Sequence, residues 1–139
     1  MFNRILVAAD GSDHSVRSAE KAGYIAENNP KAEVTIVYVI DGQKSKEDVL
    51  HHYDKSVLEQ SRKNRLNSIE AIFKEKNISF NIEILHGEPG PTIVDYANDR
   101  SFDLIVVGSR GLNTLQEMVL GSVSHKVAKR AKAPVMIVK

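Results

Sequence analysis

Leu104-Ile105-Val106-Val107-Gly108-Ser109-Arg110-Gly111 joins an unbroken apolar run to a turn that carries two glycines. Consecutive apolar residues rich in β-branched side chains suit a strand buried on both faces, and such strands belong to parallel sheets covered by helices. Ile5-Leu6-Val7-Ala8-Ala9 and Val135-Met136-Ile137-Val138 have the same continuous character. Taken with two further β-rich runs, they give five predicted strands: Arg4 to Ala9, Glu33 to Ile40, Phe80 to His86, Asp103 to Val107 and Pro134 to Val138.

Helical spacing fills the intervals. Ser12 to Asn28 repeats Val16, Ala19, Ala22, Gly23 and Ala26 at three-to-four spacing and stops at Asn28-Asn29-Pro30. Val49 to Asn77 is highly charged around an apolar stripe of Val57, Leu58, Leu66, Ile69, Ile72 and Phe73, preceded by a polar stretch from Asp41 to Asp48 that predicts a mobile loop. Thr92 to Asp99 follows Gly87-Glu88-Pro89-Gly90-Pro91, where proline suits a first helical turn. Leu115 to Ala131 predicts a last helix in two pieces divided near Gly121. Strands alternating with helices imply a single α/β domain with a parallel sheet and right-handed crossovers. Open sheets of this kind bind ligands beyond the carboxyl ends of their strands, where the strand order reverses. That places function after Ala9, Ile40, His86 or Val107; the pattern leaves the strand order open.

Bulk properties narrow the class. A chain of 139 residues has room for one domain and a core that needs no staple. Without cysteine it has no disulfide framework, thiol chemistry or Cys-ligated zinc. Met1-Phe2-Asn3-Arg4 leads straight into a strand, so no signal peptide is expected. No apolar run reaches the roughly 20 residues that span a bilayer. Nineteen basic and eighteen acidic residues leave a net charge of +1, which offers no strong field for nucleic acid or membrane. The expectation is a cytoplasmic globular domain.

Two of the four turns carry unusual chemistry. At Gly108-Ser109-Arg110-Gly111 the missing Cβ atoms let backbone N–H groups turn outward and let a bulky anion approach. Gly121-Ser122-Val123-Ser124 follows at a helix start, which adds free N–H groups, the positive end of the helix dipole and two hydroxyls. Two such patches flanking a short excursion suit a polyphosphate; a tight turn and a helix kink would place the same glycines. In Ala9-Asp10-Gly11-Ser12-Asp13, Asp10 can accept from ribose hydroxyls or a base, while Ser12 or Asp13 caps the following helix. An Asx turn alone explains the same residues.

The opening Ile5 to Ser12, the tail Gly108-Ser109-Arg110-Gly111, nine residues, then Gly121-Ser122, and the closing Lys132 to Val138 resemble the universal stress protein family. The tail is similar to the G-x2-G-x9-G-[ST] signature of its ATP-binding branch. The resemblance implies a five-stranded doubly wound sheet in the order 3-2-1-4-5 with helices on both faces. It also implies an ATP site, with or without Mg2+, with ADP and AMP as alternatives. Val39 would offer its backbone to adenine, and Ala9 and Asp10 would lie beside the nucleoside. Gly108, Arg110 and Gly111 would hold ribose and phosphates, and Gly121, Ser122, Val123 and Ser124 would complete the phosphate grip. Ala9 departs from relatives with proline at that position. Family members dimerise through the last strand, here Val135, Met136, Ile137 and Val138, which as a terminal apolar strand is expected at a sheet edge.

Other candidates carry less. His14, His51, His52, His86 and His125 show no metal-binding spacing. The charges from Lys44 to Lys76 read as a solvated helix face, and the scattered aromatic residues give RNA binding little support. No P-loop or kinase catalytic loop is present, so no catalytic residue is assigned. Three functions follow: a dimeric nucleotide-dependent stress regulator; a slow ATPase or a protein that phosphorylates itself on Ser122 or Ser124; and a phosphoacceptor switch. The switch fails because the third strand ends in Leu85-His86-Gly87 without an acceptor aspartate. A flavin carrier lacks an aromatic platform at Val39-Ile40.

Overall fold

Strands and helices alternate in a computed structural model that describes residues 1–41, 55–110 and 121–139. The order is β1 (Arg4–Ala9), α1 (Asp13–Ala26), β2 (Glu33–Ile40), α2 (Lys55–Glu75), β3 (Ser79–His86), α3 (Pro89–Arg100), β4 (Leu104–Gly108), α4 (Ser122–Arg130) and β5 (Val135–Val138). The expected loop beyond Asp41 and the first piece of the last predicted helix, up to Leu120, lie outside the described residues. All five strands are parallel in the order β3-β2-β1-β4-β5, so β1 and β4 are neighbours and β5 lies at an edge.

Two apolar layers explain the unbroken hydrophobic runs. Ile5, Val7, Val34, Ile36, Leu104 and Val106 face α1 and α2, against Ala19, Ala22, Leu66, Ile69 and Phe73. The alternate residues Leu6, Ala8, Val37, Ile105 and Val107 face α3 and α4, against Ile93, Val94, Ala97 and Val127. Strands with a core on both sides read as near-continuous apolar runs, and the buried Thr35 of β2 is satisfied by Asn81 Oδ1 at 3.1 Å. Edge strand β3 shows the contrast, with Asn81, Ile84 and His86 exposed.

Helix starts are made in three ways. Ser12 caps α1, its Oγ accepting the N–H of Ser15 at 3.2 Å. Helix α3 begins at Pro89 rather than at Thr92, because proline at its first and third positions removes only N–H groups that no helix bond uses; the first bond is Thr92 N–H to Glu88 C=O at 3.1 Å. Helix α4 starts after Gly121 with no side-chain cap. At the amino-terminal end of the sheet, Asp103 accepts the N–H groups of Asn3 and Arg4 at 3.0 and 2.9 Å. These bonds, that from Arg4 foremost, hold its carboxyl below the ordinary value. Arg4 also donates to the carbonyl of Arg100 and lies over the Phe102 ring, 4.9 Å from its centroid.

Candidate functional site

The crevice is built where β1 and β4 end. They pair up to Val7 opposite Val106, and two residues further on their strands end at Ala9, paired with Tyr38, and Gly108, paired with Val138. From there β1 feeds α1 on one face and β4 leads towards α4 on the other, the topology at which doubly wound sheets place their ligand crevice. Val39, one residue past the Ala9–Tyr38 pair, stands at the same edge one strand over.

On the β1 side, Asp10 Oδ1 accepts the N–H of Ser12 at 2.8 Å, closing an Asx turn. Gly11 donates its N–H to Ser15 Oγ at 3.1 Å and holds φ at +83°, a conformation that favours glycine. The structure therefore contains the Asx turn and the Ser12 cap together, with Asp10 partly exposed above them.

On the β4 side, Gly108 has a packing role with no local signal in the chain. A Cβ there would lie 2.7 Å from Cβ of His14 on the first turn of α1. Its bareness is demanded by a helix as well as available to a ligand. Ser109 follows as a junction: its N–H donates to Val138 C=O at 2.7 Å, and its carbonyl accepts Gly121 N–H at 2.8 Å and Ser124 Oγ at 3.1 Å. Ser124 is buried at 1 % exposure and spends its hydroxyl on this link and on the Gly121 carbonyl at 3.0 Å. Ser122 beside it is exposed.

These bonds bring the α4 start to the β4 turn. The first bond within α4 is His125 N–H to Gly121 C=O at 3.0 Å, and among the described residues no side chain caps the N–H groups ahead of it. An uncapped helix start facing a glycine turn suits an anion. The N-terminus of α1, by contrast, is closed by its own serine. Ala9, Asp10, Gly108, Arg110, Gly121, Ser122, Val123 and Ser124 thus share one end of the sheet, with Val39 alongside; Gly111 lies outside the described residues.

Two residues here went unassigned in the sequence. His14 places Nδ1 3.4 Å from Ser109 Oγ. Arg65, within the charged face of α2, lays its side chain over Gly11 and reaches the hydroxyl of Tyr38 at 3.3 Å. Neither contact has a local signal, because each joins residues far apart in the chain. Among the described residues no cluster of three His, Asp or Glu could hold a metal ion, and no helix is long and apolar enough to cross a membrane.

A five-stranded parallel sheet in this order, with its crevice between β1 and β4, places the chain in the doubly wound α/β class. The chain belongs to the universal stress protein family, whose model matches residues 1–139. It is 35% identical to universal stress protein YxiE of Bacillus subtilis, with all of both chains covered. Against universal stress protein MJ0577 of Methanocaldococcus jannaschii it is 33% identical, covering 100% of this chain and 96% of that one. The solved structure of MJ0577 superposes with a TM-score of 0.80 over the same shares of the two chains. A universal stress protein solved in complex with cAMP gives a TM-score of 0.71 at 27% identity, covering 99% of this chain and 97% of that one.

Proposed function

We propose that this protein binds an adenine nucleotide, ATP in the first instance, in the crevice between β1 and β4, and acts in the cytoplasm as a dimeric nucleotide-dependent stress regulator. One observation carries the reading: the uncapped start of α4 is tied to the glycine turn after β4 through the Ser109 carbonyl. Unspent helix N–H groups and a turn with little side-chain bulk are what phosphate oxygens need. The relative solved with cAMP supports an adenine nucleotide as the ligand class. In this reading Gly108, Arg110 and Gly111 hold ribose and phosphates, Gly121 to Ser124 complete the grip, and Ala9, Asp10 and Val39 meet the nucleoside. Mg2+ would accompany a triphosphate through its phosphates, since no carboxylate cluster of the described residues offers a cage. Dimerisation uses β5, whose Val135, Met136 and Ile137 stay only partly buried at the sheet edge.

Thermal unfolding with ATP, ADP, AMP, cAMP and FMN, each with and without Mg2+, tests the site. A ligand at about 100 times its Kd adds roughly 2.7 kcal/mol, a rise of roughly 5–10 °C for a domain of this size. A rise with adenine nucleotides and none with FMN is expected. No rise with any of them, on protein freed of co-purified nucleotide, refutes the reading.

A further inference from the structure

We propose that Arg65 belongs to the nucleotide site and acts on the base and ribose rather than on the phosphates; the inference rests on reading the crevice as a nucleotide site. Helix α2 passes the carboxyl edge of the sheet at this residue. Leu66, Ile69 and Phe73 pack on the sheet below it, and the Arg65 stem lies across Gly11, in the turn that leaves β1. The preceding part of α2, from Lys55 to Asn64, therefore stands beyond the strand ends; ten residues at about 1.5 Å each reach about 15 Å. Arg65 is the foot of a wall beside the crevice.

Its placement is specified twice. A Cβ on Gly11 would come within 2.6, 2.7 and 2.8 Å of Arg65 Cβ, Cγ and Cδ, so the stem lies there only because residue 11 is glycine. At the far end, Nη1 donates to Tyr38 Oη at 3.3 Å, and Tyr38 is buried opposite Ala9 in the sheet register. No carboxylate of the described residues forms an ion pair with the guanidinium, and the side chain is exposed. A planar cation is thereby held at the ends of β1 and β2, with the Tyr38 hydroxyl its one hydrogen-bond partner among the described residues.

The two arginines divide the crevice. Arg110 follows β4, on the side where α4 offers its N–H groups, and Arg65 stands on the opposite flank of β1, next to β2. A nucleotide with its phosphates at α4 crosses the end of β1 and places its nucleoside at Arg65. There the guanidinium plane can stack on a purine face and its edge can donate to ribose oxygens or ring nitrogens.

The test uses Arg65→Met, which keeps an apolar stem over Gly11 and removes the plane and the charge, with adenosine, AMP and ATP titrated in competition against a fluorescent ATP analogue. Arg65→Met is expected to weaken all three by a common factor of about 5–20, with the unfolding midpoint of the unliganded protein unchanged. Arg110→Met is expected to weaken ATP more than AMP, and AMP more than adenosine. Arg65→Lys, which keeps the charge without the plane, should resemble Arg65→Met, and Tyr38→Phe should show the same pattern more weakly. A loss in Arg65→Met that grows with phosphate number, or no loss at all, overturns the assignment. Wild-type protein that binds none of the three refutes the nucleotide site itself and removes Arg65 with it.

Discussion

The hydroxyl of Ser109 lies 3.4 Å from Nδ1 of His14, while the carbonyl of the same serine accepts from Gly121 and Ser124. One residue therefore ties the turn after β4 to α1 on one face of the sheet and to α4 on the other. Any change that moves α1 against β4 therefore moves the start of α4 too.

Gly108→Ala introduces a Cβ 2.7 Å from Cβ of His14 and 3.2 Å from the His14 carbonyl carbon and the Arg110 oxygen. Neither helix backbone nor turn backbone yields cheaply, so a loss of about 1–3 kcal/mol in denaturant unfolding is expected. An unchanged midpoint would show that α1 slides freely on β4.

Asp10 closes a turn and, in the proposed site, also meets the nucleoside, and two variants separate these roles. Asp10→Ala removes the acceptor for Ser12 N–H, costing about 1 kcal/mol in stability. Nucleotide affinity should also weaken, by about 1–3 kcal/mol, where the carboxylate bonds the nucleoside. Asp10→Asn keeps an acceptor for Ser12, so its stability should stay close to wild type while affinity falls. Equal affinity of all three proteins in calorimetric titration would leave Asp10 as a turn residue only.

Self-phosphorylation, if the crevice supports it, has one open hydroxyl of the two considered. Ser124 is buried and bonded to Ser109, whereas Ser122 is exposed. Incubation with labelled ATP followed by peptide mass spectrometry should give label at Ser122 or none; label at Ser124 would require the link to Ser109 to break. Ser124→Ala should cost roughly 0.5–1.5 kcal/mol and Ser122→Ala almost nothing.

Asp103 sets a pH dependence at the other end of the sheet. Its carboxyl is held below the ordinary value, chiefly by the N–H of Arg4 and then by that of Asn3, so the unfolded chain takes up a proton first as pH falls. The stability it contributes is fully present above the unfolded value of about 3.9 and is lost as pH drops through the lowered folded value. Asp103→Ala should therefore be less stable than wild type near pH 7, with the gap narrowing only below about pH 4. A gap that is constant down to pH 2 would mean that the charge of Asp103 is irrelevant.

Strand β5 spends alternate carbonyls on β4, with Pro134 C=O taken by Ile105 and Val138 C=O by Ser109. In a parallel pair the intervening residues, Val135 and Ile137, turn their N–H and C=O groups outward. Ile137→Pro deletes an outward donor without removing a bond to β4, so it should convert a β5-paired dimer to monomer in sedimentation velocity at little cost in stability. A dimer that survives it is built on another surface.

The elements were legible wherever burial is written as local pattern. Unbroken runs such as Leu104 to Val107 mark strands covered on both faces, and α1 announces itself by small residues at helical spacing. The strand order was not in that pattern, because no local rule says which crossover passes which strand; it came only with the resemblance to a family. Helix α3 starts three residues before Thr92, because Pro91 reads as an obstacle until its place in the first turn is known. In the crevice, Asp10 and the glycine turns were visible as breaks at strand ends. Arg65 was not, since a cation on a charged helix face gains meaning only from Gly11 and Tyr38, which the fold brings to it.

The junction at Ser109 has a consequence for how such chains diverge. The chain departs for residues 111–120 just beyond this serine, and Gly121 returns to bond its carbonyl, so both ends of the excursion are pinned by the scaffold. Closing a flexible loop costs only about 0.6 kcal/mol more for each doubling of its length. Scaffold stability therefore tolerates insertions or deletions there, and under the proposed function the nine residues between Gly111 and Gly121 serve the ligand rather than the scaffold. Where descendants of this fold lose that interval while keeping the junction, the ligand will have been abandoned before the architecture.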